Sequence, residues 1–315
     1  MNPKEFAEQI RAVVFGHAVA DALGVPVEFM SRDALDLSPV TEMMGYGTYP
    51  YPAGCWSDDT SMALCALDSL CMGSVDFDDI MQKFGEWYYK DAYTPTGKLF
   101  DVGNTCAMAI ERYCTMQKKP LECGLTSSYS NGNGSLMRMY PFVLFAYQKQ
   151  LPQEELLELI HNASALTHAH PISKIGCGIY ALVLMELLAN PCKDAVSSAL
   201  AKAVQVYQGQ SEFCHYERLC SPDFESISRD DIKSSGYVVD SLEAAIWCLQ
   251  NTDSYRDCVL KAVNLGSDTD TVAAIAGSLA GALYGPEAIP SEWLDELKRK
   301  DYIEEMCRRA LDAWC

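Results

Sequence analysis

The chain has 315 residues, of which 43 are Asp or Glu and 24 are Lys or Arg, so its formal net charge is −19 at pH 7. So acidic a surface repels nucleic-acid phosphates and anionic lipid headgroups, which argues against nucleic-acid binding and membrane docking. A composition that is 49% hydrophobic and 21% charged is typical of a globular chain, and we interpret residues 1–315 as one domain.

The cellular setting follows from the apolar stretches and the cysteines. The longest apolar stretches, 175–189 and 272–285, fall short of the roughly 20 residues that a bilayer span needs. Lys4 and Glu5 stand where a signal peptide would need its apolar run. The fourteen cysteines include no CxxC pair, and several lie within apolar helical patterns (Cys65, Cys106, Cys114, Cys177 and Cys248). We therefore expect buried, reduced thiols and a cytoplasmic protein without a membrane part.

Apolar residues recur at helical spacing along most of the chain, and the alternation typical of strands is nearly absent. The first helical pattern ends at Gly24. We predict one helix capped by Asp76, one that begins at Asn104 and one that begins beside Pro152. Further helical patterns cover about 172–189, 192–207, 238–250, 255–264, 271–284 and 291–313. The expected fold class is all-α.

The pattern over 271–284 is unusually rich in Ala and Gly. Gly277 and Gly281 lie inside it, and each glycine costs about 1 kcal/mol of helix stability relative to alanine. That cost is understandable if other backbones approach closely, so we place this helix at the centre of the bundle.

Two acidic clusters each precede an apolar helix. Either one alone, Ser57–Thr60 or Gly266–Thr271, is explained by helix capping, because hydroxyls and carboxylates suit a helix N-terminus. Together they supply four carboxylates and several hydroxyls but no imidazole or thiolate. Such an oxygen-only set favours Mg²⁺ or Mn²⁺, allows Ca²⁺ and disfavours zinc, and two ions could share it.

A third motif is the glycine-rich segment 130–135, Ser-Asn-Gly-Asn-Gly-Ser. Glycines permit positive φ, so the segment is either an anion-binding nest or a plain turn. It is no Walker loop, and it lacks the third glycine of GxGxxG. Glu28 and Asp101, taken singly, are typical of solvated loop acids. His168 and His170 are two residues apart, and we favour hydrogen bonding over metal ligation for them.

Taken together, these motifs resemble the ADP-ribosylglycohydrolase family. The matching segments, in order, are ADALGVPVEF (20–29), WSDDTSMAL (56–64), FDVGNT (100–105), SNGNGSLMR (130–138), LTHAHP (166–171), GYVVDSLEAAIW (236–247) and GSDTDTVAAIAGSLAGALYG (266–285). One departure is Ala20, which stands where the family usually has glycine, and since alanine is also small we expect no loss of function.

The resemblance implies an all-α orthogonal bundle with two Mg²⁺ or Mn²⁺ ions in a cleft. It implies hydrolysis of the bond between C1″ of ADP-ribose and an acceptor on a protein or small molecule, with ADP-ribose as product. The implied metal ligands are Ser57, Asp58, Asp59, Asp268, Asp270 and Thr271. The implied substrate-binding residues are Gly103, Ser130, Asn131, Gly132, Asn133, Gly134, Ser135, Met137 and His168, with the 130–135 loop on the diphosphate. Glu28 and Asp101 would be the catalytic acids.

Several alternatives stay open at this point. The chain could be a non-catalytic ADP-ribose-binding protein or a crystallin-like structural relative, although its ligand set is complete. Clustered aspartates also occur in magnesium-dependent phosphohydrolases. The sequence leaves the acceptor undefined between arginine, serine and other groups. It also does not say which of Glu28 and Asp101 is the base.

Overall fold

α-Helices carry the regular structure of the protein in the computed structural model, which describes residues 2–315. They are α1 (Pro3–Gly24), α2 (Arg32–Leu37), α3 (Asp58–Leu70), α4 (Phe77–Lys90), α5 (Asn104–Cys114), α6 (Tyr140–Gln148), α7 (Gln153–Ala165), α8 (Pro171–Ala189), α9 (Lys193–Tyr207), α10 (Val238–Gln250), α11 (Tyr255–Val263), α12 (Thr269–Tyr284), α13 (Ser291–Glu296) and α14 (Lys300–Trp314). Short 3-10 turns join some of them, and this range contains no β-strand, only isolated bridges. The predicted all-α fold is confirmed.

Helices α1 and α12 pack against each other at the centre of the bundle, as the small residues predicted. A Cβ added at Gly16 would lie 2.5 Å from the carbonyl oxygen of Gly277. A Cβ at Gly277 would overlap the Gly16 carbonyl oxygen and the Ala20 side chain, and one at Gly281 would overlap the Ala12 carbonyl oxygen. The glycines therefore allow direct backbone contact between the two helices.

The predicted helix starts follow capping chemistry. The Asp76 carboxylate accepts hydrogen bonds from the N–H groups of Asp78 and Asp79, which caps α4. Asn104 is the first residue of α5, and Pro152 occupies the N-cap of α7.

The prediction of one helix over 291–313 was wrong. The chain breaks between α13 and α14, where Leu297 is extended and Arg299 has a φ of 47°. The Lys298 N–H donates to the carbonyl of Gly54 over 2.9 Å, so a tertiary hydrogen bond holds the break. Helices α2 and α6 were not predicted: α2 is only six residues long, and α6 is buried on nearly all sides and lacks an amphipathic period.

All fourteen cysteines are free thiols, and eight of them are buried. Cys114 is exposed, contrary to the expectation from its apolar pattern, because it lies in the last turn of α5 near the surface. The cytoplasmic location stays a prediction.

Two segments, Pro3–Val27 and Pro171–Ala189, are long and apolar enough to cross a membrane by length and composition alone. The first of them was not among the apolar stretches considered as candidate spans from the sequence. Of their most apolar windows, 94% and 78% are buried inside the protein. Core helices of folded proteins have the same property, so these segments are weak evidence for a span.

Candidate active site

A cleft of about 380 Å³ lies where the segment after α1 meets the N-termini of α3, α5 and α12. Its walls include most of the residues singled out in the sequence: Glu28, Asp58, Asp101, Gly103, Gly132, Asn133, Gly134, Met137, His168, Asp268 and Thr271. These residues come from six separate segments of the chain, so the fold brings the motifs to one place.

The two acidic clusters meet at the floor of the cleft. The Thr271 hydroxyl at the start of α12 donates to Asp59 Oδ1 at the start of α3 over 3.2 Å. Asn133 Nδ2 donates to Asp268 Oδ2 over 2.6 Å, which joins the glycine-rich loop to the same floor. Asp59 and Asp270 are almost fully buried beneath it.

Ser57 is the N-cap of α3, and its hydroxyl accepts from the Asp59 N–H over 3.2 Å. The capping interpretation of that cluster is therefore correct as far as it goes. Its role as a metal ligand stays a prediction.

Sequence reasoning missed Asp21, which is fully buried in α1. Its carboxylate accepts from the Ser57 N–H over 2.9 Å, and from the N–H and hydroxyl of Thr60 over 3.0 and 2.6 Å. Asp21 thus fixes the first turn of α3 and adds another carboxylate to the floor. The available signal was its place in the matching segment 20–29, two turns before Glu28.

Glu28 and Asp101 stand at the rim. The Tyr49 hydroxyl donates to Glu28 Oε2 over 2.8 Å, and the Thr48 hydroxyl donates to the Glu28 carbonyl over 2.6 Å. One oxygen each from Glu28, Asp101 and Asp270 lie within 4.8 Å of one another. The carboxylates of Glu28 and Asp101 and those of the floor therefore form one continuous group.

Three residues of the cleft have left-handed backbones that non-glycine residues seldom adopt: Phe29 at φ 66°, Asp101 at 51° and Ser267 at 66°. Hydrogen bonds of 2.7 Å hold this geometry, from the Phe29 N–H to the Ser267 carbonyl and from the Ser267 N–H to the Met30 carbonyl. Such strain is typical of functional sites, where the surrounding structure fixes it. Here the two hydrogen bonds tie Phe29 and Met30, which follow Glu28, to the loop that carries Asp268.

Burial and mutual repulsion favour the protonated forms of these acids when no cation is bound. Loss of hydration, followed by the neighbouring carboxylates, raises the pKa of Asp58, Asp59 and Asp270 well above the ordinary range. The same causes raise the pKa of Glu28 to about 8, and burial raises the pKa of Asp21 to about 6.

The residues present fit divalent cations. Asp59 Oδ2 and Asp270 Oδ2 are buried carboxylate oxygens without a hydrogen-bond partner within residues 2–315. A buried unpaired charge is costly, and a cation removes that cost. One oxygen each from Asp21, Asp59 and Asp270 also lie within 4.8 Å of one another. The only donors gathered here are oxygens, which Mg²⁺ and Mn²⁺ prefer.

The glycine-rich loop differs from the sequence expectation in its backbone. Neither Gly132 nor Gly134 has a positive φ, so the nest built on left-handed glycines was wrong. A Cβ on Gly134 would lie 2.8 Å from Cys106 Sγ and 3.0 Å from His168 Cε1, so this glycine is needed for space. In the described part of the chain, the N–H groups of both glycines donate to no protein acceptor and border the cleft.

Three predicted substrate-binding residues of this loop do not line the cleft. Ser130 is buried away from it, Asn131 accepts from the Ser173 hydroxyl over 3.0 Å, and Ser135 accepts from the Ser164 hydroxyl over 3.0 Å. The side chains of Asn131 and Ser135 hold the loop in place, because their polar atoms form hydrogen bonds within the protein.

Similarity to known proteins extends over nearly the whole chain. The sequence profile of a family described as ADP-ribosylglycohydrolase matches residues 2–315. The chain is 33% identical to "ADP-ribosylarginine hydrolase Tri1" from Serratia proteamaculans, over 97% of this chain and 79% of the relative. It is 32% identical to "ADP-ribosyl-[dinitrogen reductase] glycohydrolase" from Rhodospirillum rubrum, over 95% of this chain and 92% of the relative.

More distant similarity extends to animals and to a solved structure. "ADP-ribosylhydrolase ARH3" from Danio rerio is 25% identical, over 99% of this chain and 92% of the relative. A solved structure titled "ADP-ribosylglycohydrolase-related protein complex" superposes with a TM-score of 0.83 at 30% identity, covering 99% of this chain and 100% of that chain.

Proposed function

Because this chain belongs to the ADP-ribosylglycohydrolase family and is a hydrolase of ADP-ribosyl bonds, we propose that it removes ADP-ribose from arginine side chains with the help of two divalent cations. The observation that carries the metal dependence is the pair of buried, unpartnered oxygens Asp59 Oδ2 and Asp270 Oδ2. They lie among further carboxylates that only a cation can hold together in the charged form.

The cations would be held by the floor residues Ser57, Asp58, Asp59, Asp268, Asp270 and Thr271, with Asp21 as an added candidate. Divalent cations bound there supply positive charge that orients ribose hydroxyls and stabilises negative charge as it develops. They also offset the repulsion between a chain of net charge −19 and a diphosphate substrate.

The rim acids act on water and the leaving group. A water molecule adds to C1″ while one of its protons passes to a carboxylate at the rim. The C1″–N bond breaks with its electron pair passing to the nitrogen of the guanidinium, which leaves as neutral guanidine and takes up that proton from the carboxylate. Glu28 and Asp101 both face the cleft and lie within reach of the same bound molecule. The Tyr49 hydroxyl orients Glu28 for that proton transfer.

The glycine-rich loop holds the diphosphate. Gly132 and Gly134 leave their N–H groups free, and their missing side chains allow phosphate oxygens to approach the backbone.

Arginine is the proposed acceptor for two reasons. Relatives named as ADP-ribosylarginine hydrolases from Serratia proteamaculans and Pseudomonas putida are 33% and 32% identical to this chain, whereas the Danio rerio ADP-ribosylhydrolase is 25% identical. A guanidinium group also suits a cleft whose rim carries Glu28 and Asp101, because carboxylates attract and orient it.

The test uses separate peptides that carry ADP-ribose on arginine or on serine, incubated with the protein and Mg²⁺ and followed by mass spectrometry. We expect release of intact ADP-ribose from the arginine peptide, loss of activity after chelation, and recovery on adding Mg²⁺. Faster cleavage of the serine peptide would contradict the acceptor, and full activity after verified metal removal would contradict the metal dependence. Release of free phosphate in place of ADP-ribose would indicate a phosphohydrolase.

A further inference from the structure

A cationic side chain is buried behind the cleft without a carboxylate partner. Arg138 is fully buried, and no acid within residues 2–315 forms an ion pair with it. Its guanidinium lies 4.8 Å from the ring centre of Phe84, and Nη2 donates to the Ala163 carbonyl over 3.2 Å and to Thr167 Oγ1 over 2.8 Å. Burying a charge in this way costs free energy. We therefore expect the hydrogen bonds of Arg138 to have a role besides packing.

Thr167 connects Arg138 to the His168 ring by hydrogen bonds. Thr167 Oγ1 lies 2.8 Å from Nδ1 of the His168 ring. Arginine can only donate, so the threonine oxygen accepts from Arg138 and its own hydrogen is directed elsewhere. In the described part of the chain, two acceptors are in reach of that hydrogen, His168 Nδ1 at 2.8 Å and the Cys106 sulfur, and a thiol sulfur is the weaker acceptor. A proton on Nδ1 would leave the buried threonine hydrogen with only the weak sulfur acceptor of Cys106.

The other ring nitrogen faces the cleft. His168 Nε2 has no hydrogen-bond partner within residues 2–315, and the ring lines the cleft wall. It lies 3.6 Å from the position that a Cβ would take on either Gly132 or Gly134. The missing side chains of these glycines therefore leave Nε2 open to a bound ligand, beside the free N–H groups of the loop.

We propose that Arg138 and Thr167 are positioning residues that hold His168 as a neutral imidazole with its hydrogen on Nε2, where it donates to an oxygen of the ribosyl diphosphate. The ligand part of this inference rests on the proposed function, whereas the location of the proton does not. Burial and the nearby Arg138 lower the pKa of His168 to about 3, so the ring stays neutral throughout the working range of pH.

The proton location is measured by NMR on protein with ¹⁵N-labelled histidine rings, without ligand. Comparison with His168→Gln assigns the His168 signals among those of the five histidines. We expect wild type to show hydrogen on Nε2 alone and an Nδ1 shift typical of a hydrogen-bond acceptor. Hydrogen on Nδ1 in wild type would overturn the proposal whatever the variants do.

Two substitutions then test the role of Thr167. Thr167→Val should move the Nδ1 shift to that of a free nitrogen and produce a detectable Nδ1–H population, while Thr167→Ser should keep the wild-type pattern. An unchanged His168 spectrum in Thr167→Val would overturn the relay. Should Thr167→Val fail to fold, Thr167→Ala is measured in its place, with the same two outcomes.

Ligand binding provides the second measurement, by calorimetric titration of ADP-ribose in the presence of Mg²⁺. We expect Thr167→Val to bind about tenfold more weakly, because a hydrogen bond to a charged group is lost for part of the molecules. Thr167→Ser should bind within about twofold of wild type. The matched control is Thr252→Val, which removes another buried hydroxyl that donates to the Cys248 carbonyl over 2.7 Å, outside the cleft.

Equal weakening in Thr252→Val would overturn the specific role of Thr167 in binding. Wild type that bound no ADP-ribose would contradict the proposed function instead, and the NMR result would still decide where the proton lies.

Discussion

A single carboxylate, Asp270, is expected to matter more for turnover than for folding. Its Oδ1 accepts from the Thr271 N–H over 2.9 Å, while its buried Oδ2 has no partner in the described residues. Asp270→Asn keeps the shape and removes the charge that a cation would need. We expect kcat to fall by a factor of about 10² to 10³, as for the loss of other electrostatic groups in active sites. The melting temperature of the metal-free protein should hold or rise, since repulsion decreases.

The measurement is turnover of the ADP-ribosyl-arginine peptide beside a thermal melt in chelator. Wild-type turnover in Asp270→Asn would contradict the ligand assignment. A large fall of the metal-free melting temperature would mean that Asp270 has a structural role.

Gly134 provides a second prediction at this scale. A methyl group there would lie 2.8 Å from Cys106 Sγ and 3.0 Å from His168 Cε1, which is closer than ordinary contact allows. Gly134→Ala should therefore weaken ADP-ribose binding by about tenfold or more, because the ring shifts and the loop closes on the ligand. Mg²⁺ binding should persist, since Gly134 contacts none of the predicted metal ligands.

Sequential calorimetric titration with Mg²⁺ and ADP-ribose separates these two effects. Gly209→Ala is the matched control, because a Cβ at Gly209 meets no atom within 4 Å. Loss of Mg²⁺ binding in Gly134→Ala would mean instead that the loop supports the metal floor.

The motifs and their order, through the family resemblance, predicted most of the acids that gather in the cleft, but not Asp21 and not how each acid is held. The clustering of Glu28 and Asp101 followed from the family resemblance, since each acid alone is typical of a solvated loop. Asp21 was missed because an aspartate inside an apolar helix carries no local signal of its partners, which lie 36 and more residues away. The orientation of Asn131 and Ser135 likewise depends on contacts with distant helices.

At the scale of helices, the contact between α1 and α12 leaves the least room for an added side chain. Gly277→Ala would place a methyl group against the carbonyl oxygen of Gly16 and the side chain of Ala20. Backbone cannot yield as a flexible side chain does, so we expect a loss of about 3 kcal/mol in the free energy of unfolding. Chemical denaturation checks this value, with Gly209→Ala as a substitution that should change little. Unchanged stability would mean that the helices can separate without cost.

Periodicity predicted most helices and failed where tertiary contacts decide. The amphipathic patterns of α4 and α14 are strong, and both segments were predicted to be helical, although α14 was joined to α13 in one predicted helix. The break at Leu297–Arg299 was not predicted, because it depends on a hydrogen bond to Gly54 rather than on a local stop signal. Helix α6 has apolar residues on every side, which leaves no period to detect.

At the scale of the whole molecule, the metal-free protein should become more stable as the pH falls from about 8 to 6.5. The folded pKa of Glu28 is about 8 and its ordinary value is 4.5, while that of Asp21 is about 6 against 3.8. The folded state therefore binds more protons than the unfolded chain in this range, so the free energy of unfolding rises by about 1–2 kcal/mol as protons are added.

Below about pH 6.5 the histidines act in the opposite direction. Burial lowers the pKa of His17 and His168 to about 3. The unfolded chain therefore binds protons at these histidines that the folded state does not bind, which lowers the free energy of unfolding. Urea denaturation in chelator at pH 8.5, 7.5 and 6.5 measures the expected rise in the free energy of unfolding. Saturating Mg²⁺ should flatten or reverse this pH dependence, because the cation competes with protons for the same oxygens. A metal-free protein less stable at pH 6.5 than at 8.5 would contradict the prediction.

The pairing of α1 with α12 also has a consequence for the order of events during synthesis. About 260 residues separate Gly16 from Gly277, so the first helix leaves the ribosome long before its partner exists. Contacts between such distant segments form late and slow the overall folding rate. In the meantime the apolar surface of α1 is open to non-specific association, and the carboxylates of the cleft are still on separate parts of the chain. A nascent chain of this protein therefore acquires its catalytic machinery only after α12 has left the ribosome.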